Sequence, residues 1–388
     1  MIRRPGILTG TNIAAFLAVV HAVNDALTAV LGALLPMLHA RFAASTTTLA
    51  LLVAVWSVSS SVTQPFLGAL AERIGLRRVA AIGVALAAIS LSLVSTAGDV
   101  ILLALLLVLG GIGSAALHPV STSIVGGESA KNPGLAVGMF TAGGMAGFAA
   151  GPVVILSLVS VYGVGVGPWL MLPGLLLAVA IAALLPQWEP HRRRAVRRRR
   201  SGLLLNRKIV LLTVAGTLVS LVFITFTSSV PLWLVVEAGL AADAPLLGWI
   251  LAAFSLAAGL GAIGGGALGE KLGYARTTGI TLLAAVVPMI AVIFLPPGPA
   301  TVAVGAVAGA LIYASQPLLI VAAQAAVPGA PAAAAGVVIG VAHAAAGLIY
   351  IGVGALQGGI GLAPAMAATF ALLVPAAVIA YAALRMSR

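Results

Sequence analysis

The chain of 388 residues is 62% hydrophobic and 7% charged, with a mean hydropathy of +1.20 and a formal net charge of +12. A soluble domain carries about 25% charged residues, so no water-soluble fold can hide this much apolar surface. Its many long apolar runs imply membrane-spanning helices rather than a barrel, and the lack of cysteine excludes disulfides.

Crossing a hydrocarbon core of about 30 Å takes roughly 20 residues of helix. Runs of that kind fall at 11–38, 46–69, 79–97, 99–123, 134–160, 163–186, 208–236, 244–266, 277–296, 299–326, 331–357 and 362–385, which makes twelve. The first follows Arg3 and Arg4 and is too long and too studded with polar residues for a signal peptide, so it is read as a retained helix. An even count places both termini on one side. With Arg41 as the exception, 19 of the 20 basic residues lie on that side, which the positive-inside rule makes cytoplasmic. Seven of them lie between 192 and 200, as expected for a loop near anionic lipid and not for a nucleic-acid-binding arm.

In chain order, the first candidate site lies in the first span. His21, Asn24 and Asp25 fall within one turn, and His21 and Asp25 share a face at i and i+4. The other seven acids lie in polar loops or at the ends of apolar runs, whereas Asp25 lies mid-run. A charge at the bilayer centre costs roughly 2.5–3.5 kcal/mol, so an acid there is expected to work, and the expected work is carrying a proton. Burial disfavours a charged carboxyl and a nearby imidazolium favours it, so such a pair can titrate near physiological pH. A structural polar cluster bonded to another helix is the competing reading.

The loop after the second span reads Gly68-Ala-Leu-Ala-Glu72-Arg73-Ile-Gly75-Leu-Arg77-Arg78. Gly68 and Gly75 allow close approach and a tight turn, and Glu72 can accept bonds from a helix N-terminus or from the arginines beside it. Such a cluster can latch one helix bundle to the other. In the fourth span His118-Pro119 precedes Ser121, Thr122 and Ser123, with the proline expected to disturb the helix. The fifth span stacks Gly143, Gly147 and Gly151 on one face just before Pro152, a close-packing pattern. The seventh offers only the neutral hydroxyls of Thr225, Thr227, Ser228 and Ser229.

The loop sequence returns as Gly266-Ala-Leu-Gly-Glu270-Lys271-Leu-Gly273-Tyr-Ala-Arg276, 198 residues later. At the same offset His118-Pro119 is matched by Gln316-Pro317, and Asp25 by Phe223. The chain therefore divides into a six-helix bundle over 1–186, a linker over 187–207 and a second bundle over 208–388. The first half carries the proton chemistry, while His343 in the eleventh span is read as structural.

Two parallel six-helix repeats with this loop motif resemble the major facilitator superfamily, whose pattern is G-x-L-a-D-R-x-G-R-[RK]. Here Glu72 replaces the usual aspartate. The resemblance covers the whole chain and implies an all-α membrane protein of two pseudo-symmetric six-helix bundles. It also implies a cavity lined by helices one, four, seven and ten, so Asn24, His118 and Gln316 are expected to meet substrate. The Gly143–Pro152 stretch is similar to the glycine-proline motif of antiporters in that superfamily. Within it, His21-x-x-Asn24-Asp25, Leu34-Leu35-Pro36 and His118-Pro119 look like the fosmidomycin-resistance group of bacterial exporters. That resemblance implies drug–proton antiport across a bacterial inner membrane.

No lysine or arginine lies well inside a predicted span, which disfavours a substrate carrying several negative charges, since such groups are usually held by arginine forks. The expected protein is thus a monomeric proton-coupled exporter of a small organic compound. Proton-coupled uptake of a metabolite uses the same residues and stays open, and a non-transporting receptor on the same fold is the remaining alternative. No nucleophile–base set, metal-ligand spacing or phosphate loop points to an enzyme or a cofactor.

Overall fold

A computed structural model of the protein describes residues 3–4, 8, 11–128, 133–188, 206–327 and 331–386. The arginine-rich stretch 192–200 and Lys131 lie outside the described residues. The fold is all-α apart from one antiparallel pair in which β1 (Arg3–Arg4) meets β2 (Gln187–Trp188). The helices in order are α1 (Thr11–Phe42), α2 (Thr46–Val62), α3 (Gln64–Ile74), α4 (Leu76–Ser92), α5 (Val100–Glu128), α6 (Pro133–Tyr162), α7 (Met171–Leu184) and α8 (Arg207–Val236). There follow α9 (Pro245–Leu272), α10 (Tyr274–Phe294), α11 (Pro299–Tyr313), α12 (Gln316–Ala326), α13 (Pro331–Gly336), α14 (Ala342–Ile360), α15 (Leu362–Ala371) and α16 (Leu373–Arg385).

Among the described residues, 11 helical segments are long and apolar enough to cross a membrane, and the bent pair α2–α3 supplies a twelfth span. The pair bends by 41° at Thr63. Pro65 in the first turn of α3 has no N–H to give the helical ladder, which is why the span yields there. Pro317 stands in the same way at the start of α12, which two residues separate from α11. The equivalent point in the first half behaves differently, because α5 runs through His118-Pro119 without a break.

The internal repeat is written into the backbone. Gly75 (φ 106°) ends α3 and Gly273 (φ 88°) ends α9, while Gly163 (φ 73°) ends α6 and Gly361 (φ 92°) ends α14. Each pair is 198 residues apart. A residue with a Cβ resists this conformation, so glycine is retained at each turn. Gly68, expected at a turn, lies within α3 instead; Gly75 alone makes it.

The chain forms two compact units: Met1–Leu34 with Val55–Arg194, and Leu35–Ala54 with Ala195–Arg388. In the first, Ile13, Leu17 and Val20 of α1 pack with Val84 of α4, Leu117 of α5, Phe140 of α6 and Ile181 of α7. In the second, α8 packs on α14 and α16, and α9 on α11. The start of α2 belongs to this second unit because Thr46 Oγ1 donates to the Gly354 carbonyl at 2.7 Å, and a bare glycine there lets Ala50 close on α14. Large apolar side chains such as Ile82, Ile101, Ile263 and Phe294 face outward, where lipid is their natural solvent.

The carboxylate of Glu237, just past α8, accepts from the Leu362 and Ala363 N–H groups at 2.7 and 3.3 Å and so caps α15. Glu237→Ala is expected to cost about 1 kcal/mol, read as a lower melting temperature in detergent. An unchanged melting curve would show the cap to be idle.

Candidate functional site

Everything that distinguishes the site lies in the first unit, where α1, α5 and α6 meet. Asp25 is the one buried acid among the described residues, at 4% exposed. Its neighbours follow from helical spacing and from one small residue. His21 stands a turn earlier on α1, and its Nε2 lies 3.0 Å from Asp25 Oδ2. Gly144 on α6 presents no side chain; a Cβ there would sit 2.7 Å from His21 Nε2 and 2.8 Å from Asp25 Oδ2. Bare backbone at that position lets α6 approach the pair.

His118 on α5 completes the cluster, its Nε2 3.3 Å from that of His21. The two rings meet edge to face with centroids 5.0 Å apart, and Phe140 stacks on His21 at 4.0 Å. Asn24 donates through Nδ2 to Asp25 Oδ1 and to Ser114 Oγ, both at 2.9 Å. Asn24 Oδ1 is buried without a protein partner among the described residues.

The tautomers follow from what each ring touches. His21 Nδ1 lies 2.7 Å from the Phe140 carbonyl, and His118 Nδ1 lies 3.1 Å from the Ser114 carbonyl. A carbonyl only accepts, so both Nδ1 atoms carry hydrogen and both Nε2 atoms are left as the basic positions. Two neutral rings would turn lone pairs toward each other beside a carboxylate. One proton in the cluster relieves that repulsion and also brings the net charge of the three side chains to zero. With one added proton the three side chains would together be electrically neutral. The same three ligand atoms lie within 4.8 Å of one another, close enough to be bridged by a metal ion.

Gly143, Gly147 and Gly151 of α6 lie against the carbonyls of Ala18, Ala22 and Ala26 on α1, and Pro152 follows them, buried. This seam holds α6 at the distance the site needs. At the expected latch Arg77 Nη1 donates to the Leu185 carbonyl at 3.1 Å, while Glu72, Arg73 and Arg78 are exposed. Glu270, Lys271 and Arg276 in the second copy are exposed too.

The second unit has its own chemistry. Gln316, half-buried, begins α12. Phe223, which stands where the first half has its acid, packs near Phe254 and Tyr313 with ring centroids 5.6 and 5.2 Å away. Thr225 and Thr227 turn their hydroxyls back onto their own helix, bonding the carbonyls of Leu221 and Phe223. Ser229, also buried, is 2.7 Å from both Tyr350 Oη and Gln357 Nε2.

Sequence reasoning paired His21 with Asp25 but assigned His118 to substrate, and it passed over Ser114, Phe140 and Gly144 as contacts. Ser114 had a signal, being four residues before His118 on one helix, and Gly144 lay within the glycine stretch. The Phe140 carbonyl had none.

Residues 17–355 match the Major Facilitator Superfamily. The fosmidomycin resistance protein of Escherichia coli (strain K12) is 27% identical over 262 residues, 65% of this chain. The match covers 64% of that relative, so the chain spans less than two thirds of its length. Among solved structures, a bacterial homolog of the human lysosomal transporter Spinster, inward-facing and occupied, superposes with a TM-score of 0.81 at 19% identity, covering 97% of both chains. The nucleoside transporter NupG, in a variant form, gives 0.77 at 15% identity over 97% of this chain and 100% of that one. Likeness at these identities shows the fold alone, but the superfamily match runs through both six-helix halves. This chain belongs to the Major Facilitator Superfamily.

Proposed function

We propose that this transporter exports a small organic compound from a bacterium in exchange for protons, by alternating access across the inner membrane. The observation that carries the reading is the buried cluster of Asp25, His21 and His118, a one-proton site inside a membrane span. Asp25 and His21 carry the proton. Asn24, His118 and Gln316 face the substrate, with His118 shared between the two tasks so that arrival of one ligand is felt by the other.

The halves 1–186 and 208–388 rock about a site near the midplane, joined by the linker 187–207, whose arginines lie on anionic cytoplasmic lipid. Both termini are cytoplasmic and the working unit is a monomer. Gly68, Glu72, Arg73, Gly75, Arg77 and Arg78, with Glu270, Lys271 and Arg276, form latches that close when the protein opens outward; their exposed charges are available for that. Gly143, Gly147, Gly151 and Pro152 hold α6 against α1. The similarity to a resistance protein supports export of a toxic compound.

The test is growth of a bacterium lacking its own efflux pumps, across a panel of toxic compounds, with and without this protein. Protection against at least one compound, abolished by a protonophore, is the expected result. Sensitisation would reverse the direction to uptake. Protection that persists when the proton gradient is collapsed would remove proton coupling.

A further inference from the structure

The lone pairs gathered at the one-proton site have a second use, independent of the transport reading. We infer that His21, Asp25 and His118 form a binding site for a divalent transition-metal ion of the zinc class. Zn–N bonds of about 2.0–2.1 Å at tetrahedral angles put two ligand nitrogens about 3.3 Å apart. The Nε2 atoms of His21 and His118 are 3.3 Å apart. Asp25 Oδ2 is 3.0 Å from the first of them, and all three donor atoms fall within 4.8 Å of one another.

The surroundings are those of a metal site. A ligating histidine normally gives its other ring N–H to a carbonyl or carboxylate, which fixes the tautomer and leaves the metal-facing nitrogen bare. Both histidines do so, through Phe140 and Ser114. The second oxygen of Asp25 is held by Asn24 Nδ2 at 2.9 Å, which steadies the carboxylate. Gly144 leaves uncovered the space over His21 Nε2 and Asp25 Oδ2 that a Cβ would fill.

The donor set selects the class of ion. Two imidazoles and one carboxylate suit zinc and its neighbours, whereas calcium and magnesium require oxygen ligands in larger number. Three protein ligands leave a fourth position for water or an anionic group. A bound ion takes the lone pairs that otherwise hold the proton, and that proton leaves to solvent. The ion is therefore expected to arrest a proton-driven cycle.

The experiment uses tag-free full-length protein in detergent, stripped with chelator and titrated with Co2+ as a spectroscopic stand-in. The expected result is one equivalent bound, with visible absorption of a four-coordinate cobalt site that Zn2+ bleaches. Asp25→Asn and His118→Gln should each weaken binding at least about tenfold while keeping the wild-type melting profile. His343→Gln, remote in sequence, should leave it unchanged. If His118→Gln does not fold, His21→Gln takes its place. Absence of the cobalt spectrum in folded wild type would overturn the inference, as would equal binding by the ligand variants. Uphill transport measured in chelator keeps the two readings apart: coupling without cobalt binding sinks only the metal site, and cobalt binding without coupling sinks only the proton reading.

Discussion

Asp25→Asn is expected to exchange substrate across a vesicle membrane at near the wild-type rate while losing all uphill transport driven by a proton gradient. With one proton bound, His21, His118 and Asp25 together carry no net charge. Asparagine keeps the size of the side chain, and its carbonyl can still accept from Asn24 Nδ2, now at 2.9 Å from Asp25 Oδ1. It removes the negative charge. A proton on His21 would then stand uncompensated inside the membrane, at a cost of roughly 2.5–3.5 kcal/mol, or about two orders of magnitude in occupancy. Counterflow and gradient-driven uptake measured in the same vesicles separate the two activities. Uphill transport by the variant at the wild-type level would remove Asp25 from the coupling mechanism.

Gly147→Leu is expected to prevent stable assembly. The Cβ of any residue at 147 would overlap the Ala22 carbonyl, and Gly143 and Gly151 are held as tightly against Ala18 and Ala26. The obstacle in each case is main chain, which cannot rotate aside as a flexible side chain can. Relief requires α6 to move away from α1, taking Gly144 from its place over His21 and Asp25. Overpacking in a well-packed core costs about 1–3 kcal/mol, and more where backbone must shift. The alanine variant should melt at a lower temperature than wild type, and the leucine variant should yield little monodisperse protein. Equal yield and melting for the leucine variant would show the glycine seam to be slack.

Much of this architecture can be read from the chain. The twelve apolar runs, the offset of 198 and the His21–Asp25 spacing all rest on local periodicity, which sequence displays directly. What brings His118 to His21 does not, since the two are 97 residues apart and their meeting depends on how α5 packs in its bundle. The Phe140 carbonyl is harder still, because every residue has one and only tertiary contact singles it out. The two proline positions teach the same lesson: Pro317 opens a new helix while Pro119 lies within α5, so a proline at the same point of the repeat has different geometry in the two halves. The grouping of Leu35–Ala54 with the second unit also escapes local reading, because it depends on a glycine more than 300 residues further along the chain, at Gly354.

If Asp25, the one buried carboxylate among the described residues, carries the coupling proton as proposed, it also sets a ceiling on accumulation. Under that proposal one acid would pass one proton per cycle. The work available is then about 2.3 kcal/mol per 100 mV of proton-motive force, enough to hold a neutral cargo at a concentration ratio of about 50 for each 100 mV and no more. Under the proposed export of a toxic compound, a cell would gain a bounded reduction in internal dose. That reduction should weaken about 50-fold for each 100 mV lost as the membrane is de-energised, well before the protein itself is impaired.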